Sequence, residues 1–402
     1  MRIALPVGSS KLALPMNARR LAFVYPPEAE AMSYPPDCPF KTHRAGLTRQ
    51  RLRAFGLLGG PGREEVSAAP ASLAELEQFH TTAYLEQLQR AAAGDLTVEG
   101  LQMGLGGPDT PVFKDMFAYG ALACGAALKA AELLIQGQAE VVFHLLGGFH
   151  HARADRAAGF CYLNDMVLAC QRLAAAGKRV AYLDVDAHHG DGVQEAFYHR
   201  NDVLTISVHE SGKTLFPWGG FEHEIGEGPG RGYNVNICLP AGAYDEAFLM
   251  AVDQVVLPIL KAYRPDVLVL ELGMDTLAGD PLTHLALTNN APAALIQRLL
   301  PLELPVLVAG GGGYHVENTV RGWARAWRVF AGEEDQPDDS AGLGGVLLGS
   351  SEWAGGLRDP VRPVSAQQRA AVEPELRQSI AAVTRHVFPY HGLVPPQDPG
   401  VG

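Results

Sequence analysis

Three observations predict a single large α/β domain built on a mainly parallel β-sheet flanked by helices. Short runs rich in Val, Leu and Ile recur along the chain almost without polar residues, as strands covered on both faces do. Helical patterns separate these runs, so strand and helix alternate. Four of the runs end in clusters of His, Asp and Tyr, and in open α/β sheets ligands gather beyond the carboxyl ends of the strands.

The predicted strands are 21–24, 140–145, 179–185, 203–208, 233–239, 266–272 and 305–309. The predicted helices are 116–136, 163–176, 246–263, 291–300 and 317–330, with another from 367 to 386. At ~150 residues per domain, 402 residues allow two or three domains. No repeat and no long linker divides the chain, so one domain is expected through residue 386. Residues 332–365, rich in Gly, Asp and Pro, read as surface loop within it, and 387–402 as a flexible tail.

Composition narrows the function. With 47% hydrophobic and 19% charged residues, wholesale disorder is excluded. A net charge of −12 argues against a general nucleic-acid binder and leaves a cationic substrate open. Cys38, Cys124, Cys161, Cys170 and Cys238 form no C-x-x-C pair, which suits reduced thiols in a cytoplasm better than a disulfide framework or a thiolate metal site. The N-terminus lacks an apolar signal region and no stretch approaches ~18 uninterrupted apolar residues, so neither a signal peptide nor a membrane span is expected.

The densest chemistry lies in YLDVDAHHGDG. In an extended segment Asp184, Asp186 and His188 alternate by two and leave on one side. Two carboxylates and an imidazole facing one point need a cation or a donor network between them. Asp186 and His188 are candidate ligands, with Asp275 from another strand end as the third, a nitrogen–oxygen set that leaves a position open for catalysis. Zn²⁺ is the expected metal, and Fe²⁺ or Co²⁺ accept the same donors. A lone D-x-H after a strand is usually only a hydrogen-bonded loop, but this run carries five titratable residues with no evident structural role.

His150 and His151 follow Gly147 and Gly148 and could serve a water nucleophile as base and acid, with Asp184 and Asp191 fixing their second nitrogens. Tyr314 follows Gly310–Gly313, where backbone must pass close to a site. No Lys-Ser/Thr pair follows, which rules out a phosphate-cradling loop, and a tyrosine there can donate to an oxyanion.

On GGFHHARADRAAGFCYLND, YLDVDAHHGDGVQEAFY, LELGMDTLAGDP and GGGGYH, the sequence resembles the zinc-dependent histone deacetylase superfamily, in particular its bacterial acetoin-utilization and deacetylase-like members. Weaker similarity runs from Tyr34 to Trp327. The resemblance implies the arginase/deacetylase fold and amide hydrolysis of an acylated amine, above all ε-acetyl-lysine in a protein. It implies Asp186, His188 and Asp275 as zinc ligands, His150 and His151 as base and acid, Asp184 and Asp191 as their partners, and Tyr314 as the residue polarising the carbonyl. Phe160 and Phe216 resemble the walls of the acyl-lysine tunnel, beside Gly159, and Asp109 the aspartate at its rim. Arg44 resembles the arginine of an internal acetate-release cavity. Structural K⁺ or Na⁺ sites are implied at Asp184, Asp186, His188, Ser207 and Val208, and at Phe197, Val203 and Tyr233. Polyamine-specific relatives carry Glu where this chain has Leu282, which favours a protein substrate over an acetylpolyamine. Longer acyl-lysines stay open, as does an arginase-like ureohydrolase, which would want two metals and more aspartate ligands.

Overall fold

Eight strands form one sheet in the order β2-β1-β3-β8-β7-β4-β5-β6, with every neighbouring pair parallel, in a computed structural model that describes residues 19–333 and 356–395. The strands are β1 Leu21–Val24, β2 Arg63–Val66, β3 Val141–His144, β4 Val180–Asp184, β5 Val203–Glu210, β6 Asn234–Leu239, β7 Val267–Glu271 and β8 Val306–Ala309. All but β2 are buried along their whole length, as continuous aliphatic runs require.

Sequence order and spatial order diverge where it matters. The chain passes from β3 to β4, yet β8 and β7 lie between them, so β3, β8, β7 and β4 are contiguous at the centre of the sheet. Those are the four strands whose ends carry the His, Asp and Tyr clusters, and their interleaving opens a crevice there.

The predicted helices are present, with one interruption. The 246–263 pattern divides into Asp245–Ala251, a π-helical turn Val252–Val256, and Leu257–Tyr263. Pro258, which has no N–H to donate, sits in the first turn of the last segment, and the wider turn before it accommodates that loss. Asn164 caps the helix Asp165–Ala175 by accepting from Val167 N–H. The helix Met116–Ile135 is long and apolar enough to span a membrane by length and composition, although Lys129 and Glu132 interrupt its apolar run. In the fold, 78% of its apolar window is buried, packed on β3 and the helix Asp165–Ala175.

Three features depart from the sequence expectations. β2, Arg-Glu-Glu-Val, lies at the sheet edge and carries no apolar signal. The helices Arg44–Ala54 and Thr82–Ala92 were not anticipated either. The tail expected from residue 387 is packed at its start, since Phe388 is buried and His391 Nε2 donates to Gly232 O at 2.8 Å. Of the expected loop 332–365, residues 332–333 and 356–365 carry neither helix nor strand, and 334–355 lie outside the described residues.

Candidate active site

The four central strands end level with one another. Asp184 stands in register with Glu271, and Glu271 and His144 with Ala309. The loops that follow open on one place, β4 bringing Asp186 and His188, β7 Asp275, β3 the histidine pair and β8 Tyr314.

Asp186, His188 and Asp275 come together with their ligand atoms within 4.8 Å of one another, all three residues buried. His188 Nδ1 lies 3.2 Å from Asp186 Oδ1 and 2.9 Å from Asp275 Oδ2. The N–H groups of His188 and Gly312 donate to Asp186, and that of Ala187 to Asp275, so backbone fixes both carboxylates. A Cβ on Gly312 would run into the Asp275 carboxylate, which accounts for glycine there. The cluster calls for positive charge. Burial opposes charging His188, yet hydrogen bonds to Asp186 and Asp275 raise its pKa to about 10. Burial and then the charge of Asp186 raise Asp275 to about 7. One nitrogen and two oxygen donors, buried and without thiolate, fit a divalent cation.

Beside them, His150 Nδ1 is 2.8 Å from Asp184 Oδ2 and His151 Nδ1 is 2.8 Å from Asp191 Oδ1. The carboxylates accept, so each Nδ1 carries hydrogen and each Nε2 is directed inward, the two Nε2 atoms 3.1 Å apart. One proton between those atoms makes the contact a hydrogen bond. The charges around the two rings, expected as base and acid respectively, differ. Burial alone would keep His150 neutral, but the negative charge beside it, foremost that of Asp184, pushes its pKa well above the usual value. Burial, and then the charge of His150, lower His151 to about 4. His151 is thus the ring with a free lone pair.

Several residues with a hand in this geometry escaped the sequence reading. Asp165 accepts from Gly148 N–H and Phe149 N–H and pairs with His144 at 2.8 Å, holding the turn that carries the histidines. It reads in sequence as an ordinary first-turn helix residue, which hid it. Asp280 accepts from Tyr314 N–H at 2.7 Å. Tyr182 and Glu271 lie beneath His150, the Tyr182 hydroxyl 2.8 Å from Asp184 and 3.0 Å from Glu271. A carboxylate inside an aliphatic strand was the signal for Glu271.

Two aromatic rings flank the cluster. Phe216 lies 5.0 Å from the His151 ring and 6.5 Å from His188, and Phe160 lies 5.7 Å from Tyr314, whose own ring is 6.3 Å from His188. Phe160 holds a left-handed backbone at φ 65°, strained for a residue with a Cβ. Asp109 maintains that turn, its Oδ2 accepting from Gly159 N–H at 2.9 Å and its backbone carbonyl from Phe160 N–H at 2.8 Å. A side chain on Gly159 would strike both His151 and Phe216. Leu282 is half-buried beyond Asp280, to which its N–H donates. Arg44 is buried under the glycine loop, donating to the carbonyls of Gly313 and Gly311 at 2.6 and 3.0 Å.

The residues expected around monovalent cations fall in two groups. Ser207 stands in register with Asp184, next to Val208, and its hydroxyl pairs with His209 Nδ1 at 2.7 Å. Phe197 ends the helix Asp191–Phe197 and Val203 opens β5, while the Tyr233 carbonyl accepts from Thr205 N–H at 3.0 Å.

Residues 38–330 match the family model of the histone deacetylase domain. Histone deacetylase 8 of Xenopus tropicalis is 38% identical over 291 residues, 72% of this chain and 78% of that protein. Histone deacetylase RPD3 of Saccharomyces cerevisiae is 36% identical over 288 residues, 71% of this chain and 66% of that one. The solved structure of an HDAC homolog from Aquifex aeolicus, 31% identical, superposes with a TM-score of 0.80 over 91% of this chain and 100% of that chain. With an all-parallel sheet of matching fold and a histone deacetylase domain spanning most of its length, the chain belongs to the histone deacetylase family.

Proposed function

We propose that this chain removes the acetyl group from ε-acetyl-lysine in proteins, with zinc as its metal and Fe²⁺ as the alternative. The observation that carries the reading is the meeting of three chemistries at one strand edge: the Asp186–His188–Asp275 cluster, the histidine pair 5.9 Å away ring to ring, and Tyr314. Asp186, His188 and Asp275 would hold a divalent cation, which would supply Lewis acidity for the scissile carbonyl and make water a better nucleophile near neutral pH.

The protein's own groups do the rest. His151, neutral and oriented by Asp191, takes the proton of the attacking water on Nε2, while the cationic His150 beside it stabilises the developing negative charge. The pair then returns the proton to the leaving amine nitrogen as the C–N bond breaks, giving acetate and free lysine. Burial, then the charges of Asp275 and Asp186, keep Tyr314 un-ionised, so its hydroxyl remains a donor for the oxyanion. Phe160 and Phe216 fit an aliphatic lysine stem between two rings, and Arg44 lies where an acetate could be received from the glycine loop side. Monovalent cations at the Asp184–His188 turn with Ser207 and Val208, and near Phe197, Val203 and Tyr233, belong to the same reading. Five buried, unpaired cysteines support a reducing cytoplasm.

Turnover measured on acetyl-lysine peptides, longer acyl-lysines and acetylpolyamines, with metal content assayed, tests this. Acetyl-lysine peptides are expected to be the best substrates. Tyr314→Phe should lower kcat by roughly two to three powers of ten, as loss of an oxyanion donor does. Full activity in that variant, or after complete chelation, would sink the reading.

A further inference from the structure

One buried group has no part in the chemistry above. Glu271 closes β7 with its carboxyl out of reach of solvent. Its Oε2 lies 3.0 Å from the Tyr182 hydroxyl oxygen, which itself lies 2.8 Å from Asp184 Oδ2. Its Oε1 finds no hydrogen-bond partner among the described residues and stands 3.5 Å from His150 Nδ1. His150, Asp184 and Glu271 bring three ligand-type groups within 4.8 Å of one another, as a second metal would require. Hydrogen bonds already occupy that space: His150 Nδ1–H and Tyr182 O–H both point at Asp184.

The hydrogens can be counted. A tyrosine hydroxyl owns one, and it cannot satisfy two ionised carboxylates at once. One of the two carboxyls must therefore carry a hydrogen and donate it to the Tyr182 oxygen. Asp184 is the anion, because His150 and Tyr182 donate to its Oδ2 and Asp186 N–H to its Oδ1. Among the described residues Glu271 hydrogen-bonds to Tyr182 alone, since His150 Nδ1–H, 3.5 Å away, is committed to Asp184, and an ionised carboxylate with a bare oxygen in a dry site is costly. Burial pushes its carboxyl well above the usual range, against the pull of the His150 charge.

We infer that Glu271 is a positioning residue that stays un-ionised and donates its carboxyl hydrogen to Tyr182, locking the chain Tyr182–Asp184–His150. The lock aims the Tyr182 hydrogen at Asp184, keeps Asp184 facing His150 Nδ1, and so leaves the Nε2 atom of His150 turned to His151. An ionised Glu271 would instead compete with Asp184 for both donors. The inference rests on reading His150 and His151 as the proton-handling pair.

Two measurements on the metal-loaded full-length protein decide it. Infrared spectroscopy at neutral pH should show the C=O stretch of an un-ionised carboxyl that disappears in Glu271→Gln; no such difference band overturns the inference, whatever the enzyme's activity. In kinetics, Glu271→Gln should keep the kcat and pH profile of the unmodified enzyme, because its amide N–H donates into the same Tyr182 oxygen. Glu271→Met, of similar length without a donor, should lower kcat roughly ten-fold at unchanged KM, with a moved pH profile. A Gln variant as slow as the Met variant would mean that negative charge is needed, and a Met variant at full speed that nothing is being positioned. Either result overturns the inference. If the unmodified enzyme cleaves none of the acylated substrates, the functional reading fails while the infrared band still decides the state of Glu271.

Discussion

At the residue scale, the site is set by atoms that must be missing as much as by atoms that are present. Gly148 has φ 91°, and a Cβ there would collide with the backbone of Gly311, so the histidine turn and the tyrosine loop approach as bare backbone. Gly177 has a comparable φ of 77° but open space around it. Alanine at Gly177 should cost only the conformational term, about 1–2 kcal/mol. Gly148→Ala should cost distinctly more and lower metal affinity with it, as read from urea midpoints and metal titration of the two variants. Equal costs would show that the crowding is unimportant. The glycine excess of the sequence marked these loops, but which glycines are crowded depends on partners more than 150 positions away.

At the scale of elements, the helix Val316–Phe330 joins core to site. Trp323 and Trp327 are fully buried, and Trp323 Nε1–H donates to the Leu272 carbonyl at 2.8 Å, immediately beyond β7. The guanidinium of Arg44 lies over the Trp323 ring, 5.1 Å from its centre. Trp323→Ala removes a large ring and leaves that carbonyl unpaired, so a loss of about 3–5 kcal/mol is expected in urea unfolding. Trp323→Phe should lose less than half of that; equal losses would show that packing volume is not the main term. The helix was legible from its period, whereas β2 was not. An edge strand of Arg, Glu and Glu is held by backbone pairing to β1 and needs no apolar alternation. The π turn at Val252–Val256 was equally silent, since a 3.6-residue period passes through it almost unchanged.

At the scale of the whole molecule, buried neutral histidines tie stability to pH. Burial holds His80 and His189 at about 4 and His209 at about 3, and His80 Nε2 must stay bare to accept Asn164 N–H at 2.9 Å. In the unfolded chain each of them has a pKa of about 6.5. Between those values the unfolded state binds more protons, so stability is intact above about pH 6.5 and declines as pH falls toward 4, at up to about 1.4 kcal/mol per pH unit for each histidine. Urea midpoints measured across that window should fall steadily, and His80→Gln should flatten the slope. A midpoint independent of pH would contradict the burial of these rings as neutral species. The fourteen histidines are conspicuous in the sequence, yet only the folded molecule separates ligands and proton carriers from these structural ones.

The sequence by itself determined the alternating α/β plan, the four strand ends that carry His, Asp and Tyr, and the segments that identify the family, because periodicity and short-range spacing are local properties. It placed Asp184, Asp186 and His188 together for the same reason. Tertiary structure decided the rest. Only the order β3-β8-β7-β4 brings Asp275 and Tyr314 to that turn, and only burial next to Asp184 sets the surroundings of His150 apart from those of His151. Charge interactions depend on distance and dielectric rather than on position along the chain, and both are created when the strands come into register.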